Sequence, residues 1–145
     1  MRTSLRLALL LVVLALSACG RAKTAQECSV FIDKVNESLK RIEKHTQAEA
    51  RDDTAAVAEM RRLADQYDTL ANDVRALRIT NRDLKKHALE YQKMAGRAAA
   101  AARQVARAVE AKDIQQAKEA QDAFDEIVKR EDKLVARINA LCQKS

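Results

Sequence analysis

The chain has 145 residues, long enough for one domain with its own hydrophobic core, and its formal net charge at pH 7 is +6. It contains no Pro and only two Gly, at positions 20 and 96, whereas Ala, Leu, Glu, Lys and Arg dominate. These abundant residues lose little free energy on entering a helix, and the residues that usually form the turns of β-sheets are nearly absent. The composition therefore predicts an all-α domain and excludes a fold built on a β-sheet.

Residues 1–18 have the layout of a secretory signal peptide. Arg2 and Arg6 give a positively charged start, and the stretch 5–16 is almost wholly apolar. The uncharged stretch 7–20 is shorter than the roughly 20 apolar residues that a helix needs to cross a bilayer. We therefore expect a signal that is cleaved off rather than a permanent membrane span.

The signal ends in Leu16-Ser17-Ala18-Cys19. This motif resembles the lipobox of bacterial lipoproteins, in which Leu and two small residues precede a Cys. The resemblance implies that residues 1–18 are removed, that Cys19 carries acyl chains such as palmitate, and that residues 19–23 form a lipidated tether. Gly20, where an Asp would imply retention at the inner membrane, implies the outer membrane, with the domain facing the periplasm. The alternative is an ordinary signal peptide with a chance Cys.

The helical domain is expected to span residues 24–145. Thr24 and Glu27 have the spacing of a capping box, which predicts a helix start. Apolar residues then recur at steps of four and three, which predicts a first helix over 25–45 with one stripe facing a partner. The stripe consists of Cys28, Ile32, Val35, Leu39 and Ile42.

The second and third helices are predicted over 54–78 and 81–111. Asp53 or Thr54 is expected to cap the second helix, and Thr80 with Asp83 indicates a turn before the third. Half of the apolar stripe of the third helix is Ala, which would let a neighbouring backbone approach closely. The alternative is one unbroken helix over 54–111 in a three-helix, coiled-coil-like bundle, with Asn81 as a polar register residue. Four helices of similar length close a bundle better, so the turn is favoured.

A fourth helix is predicted over 113–143, capped by Asp113 and carrying a wide apolar stripe with Glu131 in its middle. An antiparallel up-down four-helix bundle with short loops places the start of the first helix and the end of the last at the same pole. Cys28 lies at that start and Cys142 at that end. Because the signal exports the domain to a compartment where disulfides persist, we expect a Cys28–Cys142 bridge; two unpaired thiols are the alternative.

Residues suited to catalysis or metal binding are scarce. His87 and Glu90 are the only pair at a ligand-like spacing, and a metal site needs three or four such groups. No nucleophile backed by His, no haem attachment motif and no glycine-rich phosphate loop is present. The sequence thus predicts a protein that is not an enzyme and that has neither a cofactor nor a metal.

One surface feature exceeds the background. On a helical wheel at about 100° per residue, seven basic residues of the third helix fall within about 120° of one another, opposite the Ala-rich stripe. A focused positive face attracts anionic partners, although an ordinary solvated helix face is the alternative. Nucleic acid is disfavoured because the chain is exported and lacks interleaved aromatic residues. The seven residues are Arg82, Lys85, Lys86, Lys93, Arg97, Arg103 and Arg107.

These features favour a membrane-anchored envelope lipoprotein that works by contact, as a non-catalytic binding or structural module. Its partner would be membrane lipid through Cys19 and an anionic envelope component or acidic protein at the basic face. The alternative is a periplasmic carrier of a metal or small molecule inside the bundle, with His87, Tyr91 or Met94 as ligands. Self-association into an oligomer through an exposed heptad seam is a further alternative.

Overall fold

The computed structural model describes the backbone of residues 2–46 and 52–144, and the side chains of residues 20–44 and 52–144. Within these ranges the chain forms four α-helices and no strand. This confirms the predicted all-α class. The helices are α1 (Arg2–Thr46), α2 (Asp53–Ala76), α3 (Arg82–Glu110) and α4 (Ile114–Cys142).

The four helices pack as an antiparallel up-down bundle, as predicted. The most extensive packing is that of α3, against α2 on one side and α4 on the other. In contrast, α1 packs mainly against α2 and makes little contact with α4. We call the end formed by residues 24–28, 77–82 and 142–144 the disulfide pole, and the end formed by residues 52–54 and 110–114 the distal pole.

A break at residues 77–81 separates α2 from α3, which confirms the predicted turn and rules out a single helix over 54–111. Asn81 is the N-cap of α3, because its Oδ1 accepts hydrogen bonds from the Asp83 and Leu84 amides at 3.0 and 2.9 Å. The cap is therefore Asn81 rather than Thr80, and a register role for Asn81 within a continuous helix is wrong.

The other two caps lie close to their predicted positions. Asp52, not Asp53 or Thr54, caps α2 and accepts a hydrogen bond from the Ala55 amide at 2.8 Å. Asp113 caps α4, as predicted, by accepting from the Gln116 amide at 2.9 Å. In each case a short carboxylate reaches one of the amides that have no partner inside the helix.

The predicted capping box at Thr24 and Glu27 is wrong, because α1 is helical from Arg2 to Thr46 and neither residue lies at a helix start. Thr24 instead donates its hydroxyl to the Gly20 carbonyl at 3.1 Å, a bond typical of a helix interior. The predicted helix over 25–45 is thus part of a longer one that includes residues 20–23. The side chains of residues 1–19, including the lipobox and Cys19, lie outside the described residues.

A disulfide joins Cys28 to Cys142 at the disulfide pole, as predicted, with the two Cα atoms 5.7 Å apart. Farther from the disulfide pole, Arg41 of α1 donates from its Nη2 to Asp73 of α2 at 3.0 Å and to the buried hydroxyl of Ser38 at 2.8 Å. The bridge therefore ties α1 to α4, while polar contacts and packing tie α1 to α2.

The core is built around α3. Its predicted Ala-rich stripe is buried, which lets α2 and α4 approach closely, although each Ala buries little area. Phe31 of α1, absent from the predicted stripe, is also fully buried. The predicted α4 stripe is covered less completely: Leu134 and Ile138 are buried, whereas Ile114 is 86% exposed. The buried Ala residues of α3 are Ala88, Ala95, Ala98, Ala99, Ala101, Ala102, Ala106 and Ala108.

Removing the disulfide should destabilise the bundle. The bridge spans 114 residues, and closing so long a loop restricts the unfolded chain strongly. We expect the double variant Cys28→Ser/Cys142→Ser to lose about 2–5 kcal/mol in the free energy of unfolding, measured by chemical denaturation. Reductant should weaken the wild-type chain and leave the double variant unchanged; an equal response of both would contradict the assignment.

Candidate functional site

The structure divides the seven basic residues of α3 among different surroundings. Arg103 is already paired at the surface between α2 and α3: its Nη2 donates to Asp65 Oδ1 at 3.1 Å and to Asp68, both on α2. The hydrogen bond to Asp68, with the attraction of both carboxylates, raises the pKa of Arg103 above its usual value. Arg103 therefore joins α3 to α2, and its charge is largely compensated.

Arg107 lies near the distal pole. It lines a shallow cavity between α3 and α4 together with Gln104, Gln116 and Glu119. A carboxylate thus shares the cavity with the guanidinium, so this end of the predicted face is not a purely positive surface.

The first three members of the face lie at the opposite end, beside the disulfide pole. Arg82, Lys85 and Lys86 are exposed in the first two turns of α3. Lys85 also lines a cavity between α2 and α3 that includes Arg75 and Arg78. These three residues consequently belong to a basic surface that continues onto α2.

The two remaining members, Lys93 and Arg97, border a groove between α3 and α4, which we call the α3/α4 groove. Its volume is about 230 Å³. Arg130 and Arg137 of α4 lie on the same groove, so cations from two helices face one space. The rest of the lining consists of Glu90 of α3 and three apolar residues, Met94 of α3 with Ile127 and Leu134 of α4.

Only one of these cations has an acidic partner. Arg137 donates from its Nη2 to Glu90 Oε2 at 3.0 Å. Burial opposes ionisation of Glu90, but Arg137 and the neighbouring His87 together outweigh it and lower the pKa of Glu90. Within the described part of the chain, Lys93, Arg97 and Arg130 have no carboxylate within 4.0 Å of their charged nitrogens.

Arg130 was not among the predicted site residues. A helical wheel shows which residues of one helix share a face, but it carries no information about which face of another helix lies beside it. The signal that would have found Arg130 is a heptad alignment of α4 against α3, with Arg130 and Arg137 seven residues apart on the edge of the α4 stripe.

The three residues considered as ligands of a carrier are not brought to one cavity. Tyr91 lines a small apolar groove between α1 and α4, whereas Met94 lines the α3/α4 groove, and His87 lines neither of them. His87 Nδ1 is buried without a hydrogen-bond partner and lies 3.6 Å from Glu90 Oε2. No group of three His, Cys, Asp or Glu side chains in the described residues is arranged to hold a metal ion.

Tyr91 belongs instead to a buried polar cluster with Glu131. The Tyr91 hydroxyl donates to Glu131, and the Tyr91 ring packs edge-on against Phe31, with the ring centres 5.9 Å apart. Burial raises the pKa of Glu131 despite the hydrogen bond from Tyr91. Burial and the nearby Glu131 charge also raise the pKa of Tyr67, to about 12. Glu131, predicted to lie within the α4 stripe, thus has a half-buried carboxyl group that contacts the core.

No family model matches the chain, and no curated protein or solved structure matches it either. Among the helices that the structure describes, none is long and apolar enough to cross a membrane. The function must therefore be argued from the residues themselves.

Replacing Glu131 by Gln should change how stability depends on pH. Burial raises the pKa of Glu131 in the folded chain, whereas in the unfolded chain this carboxyl has its ordinary pKa of 4.5. As the pH rises, the unfolded chain therefore loses this proton before the folded chain does. The contribution of this group to stability is therefore present below pH 4.5 and lost as the pH rises through the folded-state pKa. Gln is neutral throughout and still accepts from Tyr91, so Glu131→Gln should abolish this loss and be more stable at neutral pH.

Denaturant unfolding over a pH series measures the effect, with the exposed Glu126→Gln on the same helix as the control. A wild-type pH profile that Glu131→Gln leaves unchanged would contradict the assignment of the slope to this buried carboxyl.

Proposed function

We propose that this protein is a membrane-anchored envelope lipoprotein and a non-catalytic binding module that contacts an anionic partner through the α3/α4 groove. The anchor would be acylated Cys19, since Leu16-Ser17-Ala18-Cys19 has the lipobox pattern. Two or three acyl chains hold a protein on a membrane stably, whereas one chain does not. The proposed location is the outer membrane, with the bundle in the periplasm.

The observation that carries the binding proposal is the group of three cations without carboxylate partners around one groove. Lys93, Arg97 and Arg130 raise the local positive potential, and their mutual repulsion is relieved when an anionic group binds between them. Arg103 is left out of the proposed site because Asp65 and Asp68 already compensate its charge.

The lining of the groove also limits the chemistry of the partner. Met94, Ile127 and Leu134 present an apolar surface directly beside the cations. Such a groove suits a molecule in which a carboxylate or phosphate adjoins an apolar group. An acidic envelope component or an acidic protein surface with apolar residues meets this requirement.

A carrier that holds a metal or small molecule inside the bundle is the less supported proposal. Two of its three ligand candidates are engaged in packing or hydrogen bonding: the Tyr91 hydroxyl donates to Glu131, and Met94 is buried in the groove lining. Only the buried Nδ1 of His87, which lacks a hydrogen bond, favours it.

Capture of the partner should depend on the groove cations. A photoreactive residue at position 93 is expected to crosslink an anionic envelope component or protein in intact cells. Adding the double substitution Arg97→Glu/Arg130→Glu to this chain should lower the capture at least tenfold, because each charge reversal replaces an attraction to the anionic partner by a repulsion. Mass spectrometry of the crosslinked product measures the yield and identifies the partner.

The matched control is Arg62→Glu/Lys118→Glu, which changes the net charge equally at exposed positions outside the groove. Capture should survive in this control and should fall with added salt. Equal loss in both double variants would show a response to net charge alone and would overturn the groove as the site.

Membrane attachment should depend on Cys19. When the mature chain is exported behind an ordinary cleavable signal with Cys19→Ala, we expect it in the soluble periplasmic fraction, because no acyl chain can be attached. Fractionation of cells carrying either form tests this. Firm membrane binding of the cleaved Cys19→Ala chain would contradict the proposed anchor.

A further inference from the structure

The two ends of the bundle differ in charge. The disulfide pole and the turns next to it carry exposed basic side chains from residues 21–23 of α1, the end of α2, the start of α3 and the residues after α4. None of them forms an ion pair within 4.0 Å in the described part of the chain. They are Arg21, Lys23, Arg75, Arg78, Arg82, Lys85, Lys86 and Lys144.

The acidic residues of this pole do little to compensate these charges. The Glu27 carboxylate accepts hydrogen bonds from the Thr80 hydroxyl and from the Thr80 and Asn81 amides. The hydrogen bond from the Thr80 hydroxyl, the two amides and the nearby Lys23 charge together lower the pKa of Glu27, although burial opposes them. Glu27 thus holds the α2–α3 turn, and Asp83 is the remaining exposed acid at the start of α3.

Among the residues that the structure describes, charge is more evenly balanced around the distal pole. Arg61 pairs with Glu110 at 2.7 Å, Asp53 lines the same cavity as Lys112, and the cap residue Asp113 follows Lys112 directly in the chain. Among the described residues, and apart from the three cations of the α3/α4 groove, the basic side chains without ion pairs are therefore concentrated at the disulfide pole.

Cys19 lies at the same end of the bundle as the disulfide pole. The α1 backbone is helical through this region, and the Thr24 hydroxyl accepts a hydrogen bond from Asn81 Nδ2 at 3.2 Å, so Thr24 lies level with the α2–α3 turn. At about 1.5 Å of helix per residue, Cys19 lies about 7–8 Å beyond this level. This distance is within the ~8–10 Å over which charges act at physiological salt.

We propose that the disulfide pole docks on the anionic phospholipid surface in which Cys19 is anchored, an inference that rests on the proposed lipid anchor for its geometry. The acyl chains attach the domain to the membrane, and the basic side chains of the disulfide pole orient it. Each Lys or Arg near an anionic surface favours the docked state roughly fivefold, so several of them fix the pole against the membrane. The distal pole then points away from the membrane, and the α3/α4 groove opens sideways into the periplasm.

The first experiment places a photoreactive residue at Arg78, on the disulfide pole, or at Lys112, on the distal pole. The mature lipoprotein is reconstituted into vesicles of phosphatidylcholine with or without phosphatidylglycerol, and lipid adducts are counted by mass spectrometry. We expect adducts from position 78 to rise roughly fivefold or more when phosphatidylglycerol is present, while position 112 stays at background in both. Equal yields from the two positions, or no dependence on the anionic lipid, would overturn the proposal.

A charge-reversal series tests the residues. Arg82→Glu/Lys85→Glu/Lys86→Glu should reduce the adducts at position 78 to the level in neutral vesicles. The control Arg62→Glu/Lys118→Glu/Lys133→Glu makes the same change in net charge at exposed positions elsewhere and should retain them. If both triple variants behave alike, the pole has no specific role.

A third measurement separates this proposal from the proposed anchor. The mature Cys19→Ala chain is floated with phosphatidylglycerol vesicles at low and high salt. Weak binding that disappears with salt and with the Arg82→Glu/Lys85→Glu/Lys86→Glu variant supports the docking pole even if Cys19 proves not to be acylated. If the Cys19→Ala chain does not bind anionic vesicles at low salt, docking of the disulfide pole is contradicted, while the proposed lipid anchor is unaffected.

Discussion

The bond between Cys28 and Cys142 connects α1 and α4, two helices that pack only sparsely against each other. α1 meets α2 through Arg41 and Asp73 and through the Glu27 carboxylate at the α2–α3 turn, but its packing against α4 is sparse. Without the bridge, nothing of comparable strength in the described residues would hold α1 and α4 together at this pole. The position of residues 24–28 of α1 relative to the end of α4 depends on this bond.

Within that closure, α3 determines how the other helices pack. Its buried Ala residues bring α2 and α4 near, so that long side chains at the edges of α3 reach both neighbours. Arg103 reaches Asp65 and Asp68 on α2, while Glu90 receives Arg137 from α4. Lys93 and Arg97 lie along the second of these edges, facing Arg130 of α4 across the α3/α4 groove, and none of the three has such an acidic partner among the described residues.

Local sequence patterns predicted the elements better than the contacts between them. Composition and the three-and-four spacing of apolar residues predicted helices, while cap residues at Thr80, Asp83 and Asp113 predicted the α2–α3 break and the start of α4. Each of these signals depends on residues close in the chain. The Cys28–Cys142 pair followed from the up-down topology. Glu27 was misassigned as half of a capping box because its actual partners, Thr80 and Asn81, are distant in sequence. Spacing within α1 cannot reveal such partners, and the lipobox at Cys19 stays a prediction.

The candidate site shows the same limit. One helical wheel showed the basic face of α3. It did not show that Arg103 pairs with Asp65 and Asp68 of α2, or that Lys93 and Arg97 share a groove with Arg130 of α4, because these partners lie on other helices. Which cations remain without an acidic partner is a property of the packed bundle. Sequence analysis therefore located the positive helix and named Lys93 and Arg97, while the groove between α3 and α4 required the structure.

The order of the helices also has a consequence for folding. Most packing in the bundle joins helices that follow one another in the chain, α2 with α3 and α3 with α4, through two short turns. Contacts between neighbouring segments close small loops and form quickly, whereas the cysteine pair is separated by 114 residues. The three C-terminal helices are thus expected to assemble first, with α1 added afterwards. Oxidation of the two thiols would then be the final step, made efficient because the assembled helices already hold both sulfur atoms side by side.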